Sequence, residues 1–144
     1  MIEIESRELA DIPVLHAYPV GQKDTPLPCV IFYHGFTSSS LVYSYFAVAL
    51  AQAGLRVIMP DAPDHGSRFS GDAARRLNQF WQILLQSMQE FTTLRAAIAE
   101  ENWLRDDRLA VGGASMGAMT ALGITARHPT VKCTASMMGS GYFT

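Results

Sequence analysis

Short apolar runs alternate with helical periodicity along this chain, and that alternation leaves few architectures open. Residues 12–20 (IPVLHAYPV) read as a strand, after a weaker strand at 2–5. A turn over 21–28 leads into Cys29-Val30-Ile31-Phe32-Tyr33, an apolar run suited to burial on both faces of a sheet. The serines of Phe36-Thr37-Ser38-Ser39-Ser40 are good N-caps for a helix over about 41–53, which Gly54 closes. The next strand, Leu55 to Met59, stops at Pro60. A polar Gly/Pro-rich loop over 60–72 ends at Asp72, which can cap a helical stretch over about 73–101. There Leu77, Phe80, Trp81, Leu84, Met88, Phe91, Leu94 and Ile98 step by three or four and form one stripe, read as packing on a sheet. Strand at 109–112, helix over about 116–127 and strand at 131–138 complete the pattern. The succession implies a doubly wound, mostly parallel sheet with helices on both faces, in one domain over 1–144.

Composition narrows the function classes. Hydrophobic residues make up 49% and charged residues 17%, a globular balance. A formal charge of −2 offers no electrostatic reason to bind nucleic acid or an acidic membrane. The start, MIEIESRELADIP, lacks the basic and apolar regions of a signal peptide, and no apolar run reaches membrane-span length. Cytoplasmic residence is the expectation. Cys29 and Cys133 read as separate buried thiols.

One pentapeptide carries chemistry. Gly113-Ala114-Ser115-Met116-Gly117 fits G-x-S-x-G, a weak pattern alone. Here it stands between an apolar strand and a helix of small residues, the context of a nucleophile elbow. The bend lifts the Ser115 hydroxyl above the sheet at a helix start, where free N–H groups favour negative charge. Gly113 and Gly117 leave space where a β-carbon would collide. The alternative is a glycine-rich turn in which Ser115 merely caps the helix.

Acyl transfer also requires donors for the tetrahedral oxyanion. The N–H of Met116 is one, and the loop His34-Gly35-Phe36 after an earlier strand supplies the Phe36 N–H as the other. Gly35 permits the turn that aims it inward. The histidines are poor candidates for the base. His34 is read as a brace of this loop, and His65, in Pro63-Asp64-His65-Gly66-Ser67, as a shaper of the rim. His16 lies within a strand. His128 lies at the far end of the helix after Ser115, about 18 Å away. Chain order in this type of site is Ser, acid, His, so acid and base are expected beyond residue 144. Asp61, Asp64 and His65 lack further ligands at zinc spacing, so neither metal nor organic cofactor is expected.

Together these motifs resemble the α/β-hydrolases of the dienelactone hydrolase and prolyl-oligopeptidase-like groups. The resemblance rests on His34-Gly35 after one strand, Asp61-x-Pro63-x-His65-Gly66-Ser67 after the next, and Gly113-x-Ser115-x-Gly117, and it runs along essentially all 144 residues. It implies an eight-stranded α/β-hydrolase sheet in a protein of about 250 residues, of which this chain stops before the last strands. It implies that Asp61, His65 and Gly66 shape the site. It also places the strands of Cys29 and Cys133 two positions apart, about 9.6 Å, beyond disulfide reach.

The expected activity is hydrolysis of small acyl esters by an acyl-serine route, with a small-molecule ester as partner. A peptidase or acyltransferase, and a non-catalytic module that kept the scaffold, stay open as rivals. A split protein whose second piece supplies acid and base is a third. The 144-residue chain alone is expected to be inactive and to expose its last strand as an edge for self-association.

Overall fold

The computed structural model describes residues 1–129, 131 and 133–137. The chain runs through β1 (Ile2–Leu9), β2 (Ile12–Pro19), β3 (Leu27–Tyr33), α1 (Ser44–Gln52), β4 (Arg56–Pro60), α2 (Ala73–Asn78), α3 (Phe80–Glu100), β5 (Leu104–Ala114), α4 (Met116–Arg127) and β6 (Cys133–Met137). The described strands form one sheet in the order β1-β2-β4-β3-β5-β6. β4, β3, β5 and β6 are mutually parallel, and β1 and β2 join antiparallel.

Side-chain alternation explains why helices cover both faces. Along β4, Val57 and Met59 face one side, where Phe32, Ala47 and Ala51 complete a core cluster under α1. Ile58 faces the other, with Ile31, Val111, Phe91, Leu94, Ile98 and Ile124 under α3 and α4. Period-two strands with both faces apolar must be sandwiched. This is the doubly wound α/β arrangement expected from the sequence.

Several boundaries differ. β1 is a full eight-residue strand rather than a short one at 2–5, paired with β2 from Ile2↔Pro19 to Leu9↔Ile12. Its turn uses Ala10 (φ 51°) and Asp11 (φ 66°), both left-handed, as a tight hairpin requires. No Asn-Gly or Asp-Gly pair announces it. The helix expected over 73–101 is two helices, broken at Gln79 (φ −110°, ψ 20°). The break frees α2 from the stripe: Leu77 (66% exposed) in α2, and Trp81 (44%) in the first turn of α3, lie outside the core while Leu84 to Ile98 stay in it. Asp72 caps α2 as expected, accepting from the Arg75 N–H at 3.0 Å. The serines do not cap α1. Its N-cap is Tyr43, and Ser39 Oγ instead accepts from the Val42 N–H in the preceding turn at 3.3 Å. The expected strand end at 138 and the Cys133 side chain lie outside the described residues. Cys29 is free and buried, and burial pushes its thiol up to about 12, so it is inert near neutral pH.

β6 has a strand neighbour on one side only among the described residues. An apolar groove of about 900 Å³ lies over β3 and β5 beside α1, lined by Val30, Phe32, Phe46, Leu50 and Ala110 among others. Among the described residues no helix is long and apolar enough to cross a membrane.

A buried cation marks the end of the sheet opposite Ser115. Arg56, first residue of β4, is fully buried and donates to Thr25 O (2.6 Å), Gln22 O (3.3 Å) and Trp103 O (3.3 Å). Its Nη1 lies 2.7 Å from His16 Nε2, and His16 Nδ1 lies 2.7 Å from Glu5 Oε2. The guanidinium can only donate, so His16 is neutral, with Nε2 accepting and Nδ1–H donating. The imidazole stacks on Trp103 at 4.3 Å, and Arg7 and Arg56 both sit over that indole at 4.9 Å. Burial first, and the nearby Arg56 charge, lower the His16 pKa to about 4, against the pull of Glu5. An unfolded chain therefore takes up this proton near its ordinary value of 6.5 while the folded one refuses it until about pH 4. Stability from this site is complete above pH 6.5 and drains away as pH falls to 4, about 3 kcal/mol in all. Urea unfolding at pH 7.5 and pH 4.5 tests this; equal midpoints would disprove the neutral, locked imidazole.

Candidate active site

Ser115 is the single residue between β5 and α4, so the chain must reverse from strand to helix on it. It does so at φ 57° and ψ −118°, a region that L-residues occupy only under strain. Two glycines make the bend possible. A β-carbon on Gly113 would lie 2.2 Å from the Gly117 carbonyl, and one on Gly117 would lie 2.0 Å from Tyr33 O and 2.6 Å from His34 O. Strand, helix and the end of β3 thus touch backbone to backbone. Gly113, Ala114, Met116 and Gly117 are buried, whereas Ser115 is exposed. Its side chain makes no capping hydrogen bond to α4. The reading of Ser115 as a mere helix cap is therefore wrong, and among the described residues its hydroxyl has no hydrogen-bond partner. Met116 opens α4, so its N–H has no intrahelical acceptor.

The loop after β3 lies against this serine. A β-carbon on Gly35 would sit 3.4 Å from Ser115 Cβ. Gly35 O accepts from the Ser38 N–H at 3.1 Å, and Thr37 takes φ 66°, which turns the chain sharply around Phe36. Among the described residues the Phe36 N–H meets no acceptor.

Three hydrogen bonds tie that loop to the one after β4. Ala62 N–H donates to His34 Nε2 (3.0 Å), Thr37 N–H to His65 Nε2 (2.9 Å), and Ser40 N–H to Asp61 Oδ1 (2.9 Å). The other histidine nitrogens face carbonyls: His34 Nδ1 lies 2.8 Å from Gly35 O, and His65 Nδ1 2.9 Å from Pro63 O. Each ring therefore carries its proton on Nδ1 and has both nitrogens engaged. Both are buried, and that burial, partly offset by the carbonyl hydrogen bonds, pushes both imidazoles below the ordinary histidine range. Asp61 is held in turn by Ser67 Oγ at 3.0 Å. The Phe36 ring packs edge-on against His65 (5.3 Å) and Phe80 (5.0 Å), which pins the loop to α3.

The structure thus gathers His34, Gly35, Phe36, His65, Gly113, Ser115, Met116 and Gly117 at the C-terminal ends of the parallel strands, where ligands bind in open α/β sheets. It separates the other two histidines from them. His16 is locked in the Arg56 network, and His128 closes α4 with its ring 4.9 Å from Phe91. The sequence pattern missed Thr37, whose N–H is the loop's tie to His65. It also missed Tyr43, whose hydroxyl would lie 3.2 Å from a Gly35 β-carbon. Neither has a local signal: the Thr37 contact crosses to a loop 28 residues away, and the Tyr43 contact depends on how the chain folds back on Gly35.

Known proteins share this arrangement. The chain is 99% identical over all 144 residues to Esterase YjfP of Escherichia coli and spans 58% of its length. It is 35% identical over 141 residues, 97% of the chain, to YitV of Bacillus subtilis and spans 55% of that protein. A dienelactone hydrolase-like promiscuous phosphotriesterase from metagenomic libraries superposes with TM-score 0.74 over 96% of this chain and 59% of its own, at 15% identity, a likeness of fold. Residues 24–141 match the family model described as serine aminopeptidase, S33. That match takes in the loop after β3, the loop after β4 and the bend at Ser115, and by it the chain belongs to this family of α/β-hydrolases.

Proposed function

We propose that this chain is the nucleophile-bearing portion of a carboxylesterase that cleaves small acyl esters. The observation that carries the reading is the free, exposed hydroxyl of Ser115, held at φ 57° on a bend that only Gly113 and Gly117 permit. The bend is a nucleophile elbow in this reading. Ser115 Oγ attacks the ester carbonyl, and the Phe36 and Met116 N–H groups receive the oxyanion. Each such donor is worth about 3 kcal/mol in the transition state. Alcohol leaves, and water then releases the acid from the acyl-serine. His34 and His65 hold the Phe36 loop in place rather than move protons, because both nitrogens of each are occupied. The general base and its acid partner come from outside these 144 residues, in keeping with relatives nearly twice as long. Among the described residues β6 has a strand neighbour on one side only, an edge that supports self-association of the isolated chain.

The family description favours one rival, amide hydrolysis by the same serine. The experiment uses the chain extended to the full length of its E. coli relative. A fluorophosphonate probe is expected to label Ser115, located by peptide mass spectrometry, and p-nitrophenyl acetate to be cleaved faster than a peptide p-nitroanilide. Absence of a Ser115 adduct would overturn the hydrolase reading. Faster amide cleavage would replace esterase by peptidase.

A further inference from the structure

The serine bend has a neighbour with no assigned task. Tyr43, at the start of α1, places its hydroxyl beside Gly35, a glycine that Ser115 also adjoins. The hydroxyl and Ser115 Cβ lie 3.2 and 3.4 Å from one point, the place a β-carbon on residue 35 would take. The Tyr43 ring is held by other aromatics, stacked on Phe46 (5.9 Å) and Tyr45 (6.0 Å) and tilted on Phe32 (6.4 Å). The phenol therefore keeps its direction. Tyr43 as a residue is half-buried, and its hydroxyl, which is not among the buried polar atoms, has no hydrogen-bond partner among the described residues; the backbone carbonyl of Ala114 lies 3.5 Å from the same point. A held donor without a protein acceptor among the described residues, beside the same glycine as the exposed Ser115, is placed to meet an acceptor on a bound molecule.

We infer that the Tyr43 hydroxyl donates a hydrogen bond to an oxygen of the ester group seated over Ser115 and so selects and orients oxygen-rich acyl substrates. The inference rests on the esterase reading. An ester offers two acceptors close to the reacting carbon, its carbonyl and its alkoxy oxygen, and a phenol reaches either without charge or proton transfer. Gly35 then has a second role beyond its turn: a side chain there would crowd the phenol, its β-carbon 3.2 Å from the hydroxyl.

The test compares Tyr43→Phe with the parent, both in the chain extended to the full length of the E. coli relative. The ring and its stacking survive the change, so the thermal midpoint should stay put. Against p-nitrophenyl acetate, kcat/KM should fall about 10-fold, the scale of one neutral hydrogen bond. Tyr45→Phe, 60% exposed in the same aromatic group, serves as control and should leave kcat/KM unchanged. A matched thioacetate, whose sulfur is a poor acceptor, separates the two oxygens. A persistent loss on the thioester assigns the contact to the carbonyl, and a vanished loss assigns it to the alkoxy oxygen; either supports the inference. Parent-like kcat/KM in Tyr43→Phe on both substrates, with Ser115 still labelled by fluorophosphonate, overturns it alone. Loss of labelling in the parent strikes the esterase reading instead.

Discussion

Replacing Ser115 by alanine in the chain extended to its relative's full length should lower kcat on p-nitrophenyl acetate about 10⁶-fold, with the fold unharmed. That is the scale on which a triad loses turnover when its nucleophile or base is removed. The unextended 144-residue chain should be equally slow for the complementary reason: its free histidine nitrogens number none beside Ser115, as His34 and His65 are both fully engaged among the described residues. A serine hydroxyl without a base is a poor nucleophile at neutral pH. The backbone adds a second readout. Residue 115 sits at φ 57°, so Ser115→Gly should abolish turnover as alanine does and yet raise stability by about 1 kcal/mol in urea unfolding. Turnover in either variant within 100-fold of the parent, or turnover by the short chain near that of the extended protein, would refute Ser115 as the nucleophile.

Gly117→Ala should be the most damaging single methyl in the molecule. Its β-carbon would stand 2.0 Å from Tyr33 O, 2.5 Å from Tyr33 C and 2.6 Å from His34 O, all backbone atoms at the end of a central strand. No rotamer relieves that overlap. α4 must move off β3 by more than an ångström, and His34 to Phe36 move with it. We expect a stability loss of about 3 kcal/mol, at the upper end for overpacking, and loss of turnover beyond detection. Gly123→Ala is the instructive contrast. Its β-carbon would meet Met88 Cε and Sδ at 2.6 and 2.7 Å, the far end of a flexible side chain that can swing away. The cost there should be about 1 kcal/mol with turnover retained. Equal unfolding midpoints for the two variants would show that the backbone contact under Gly117 is not as tight as described.

Much of this architecture was legible in the sequence. Val57-Ile58-Met59 is apolar at every position because both sheet faces are covered, and that pattern survives any detail of topology. Asp72 announced its helix correctly because a cap acts within three residues. Ser38 to Ser40 misled for the same reason in reverse. They look like caps, but Asp61, 21 residues on, takes the Ser40 N–H, and the helix starts later. The break at Gln79 was invisible because a stripe of period 3.6 continues through it with little change of pattern. The β1–β2 turn was invisible because Ala10 and Asp11 carry no mark of left-handed conformation.

For the site, local order and tertiary order divide cleanly. G-x-S-x-G between strand and helix determined the bend, since two backbones that close admit no β-carbon, and that constraint is written in five consecutive residues. The sequence also determined that helices lie on both sides of the sheet. Only the tertiary structure decided what the histidines do, because a tautomer depends on which carbonyl and which N–H come to face the ring. Only it decided that Tyr43 and Ser115 meet at Gly35 and that Arg56 is buried against His16. Those partners lie tens of residues apart, and their meeting is set by how strands order in the sheet, which no local pattern of side chains encodes.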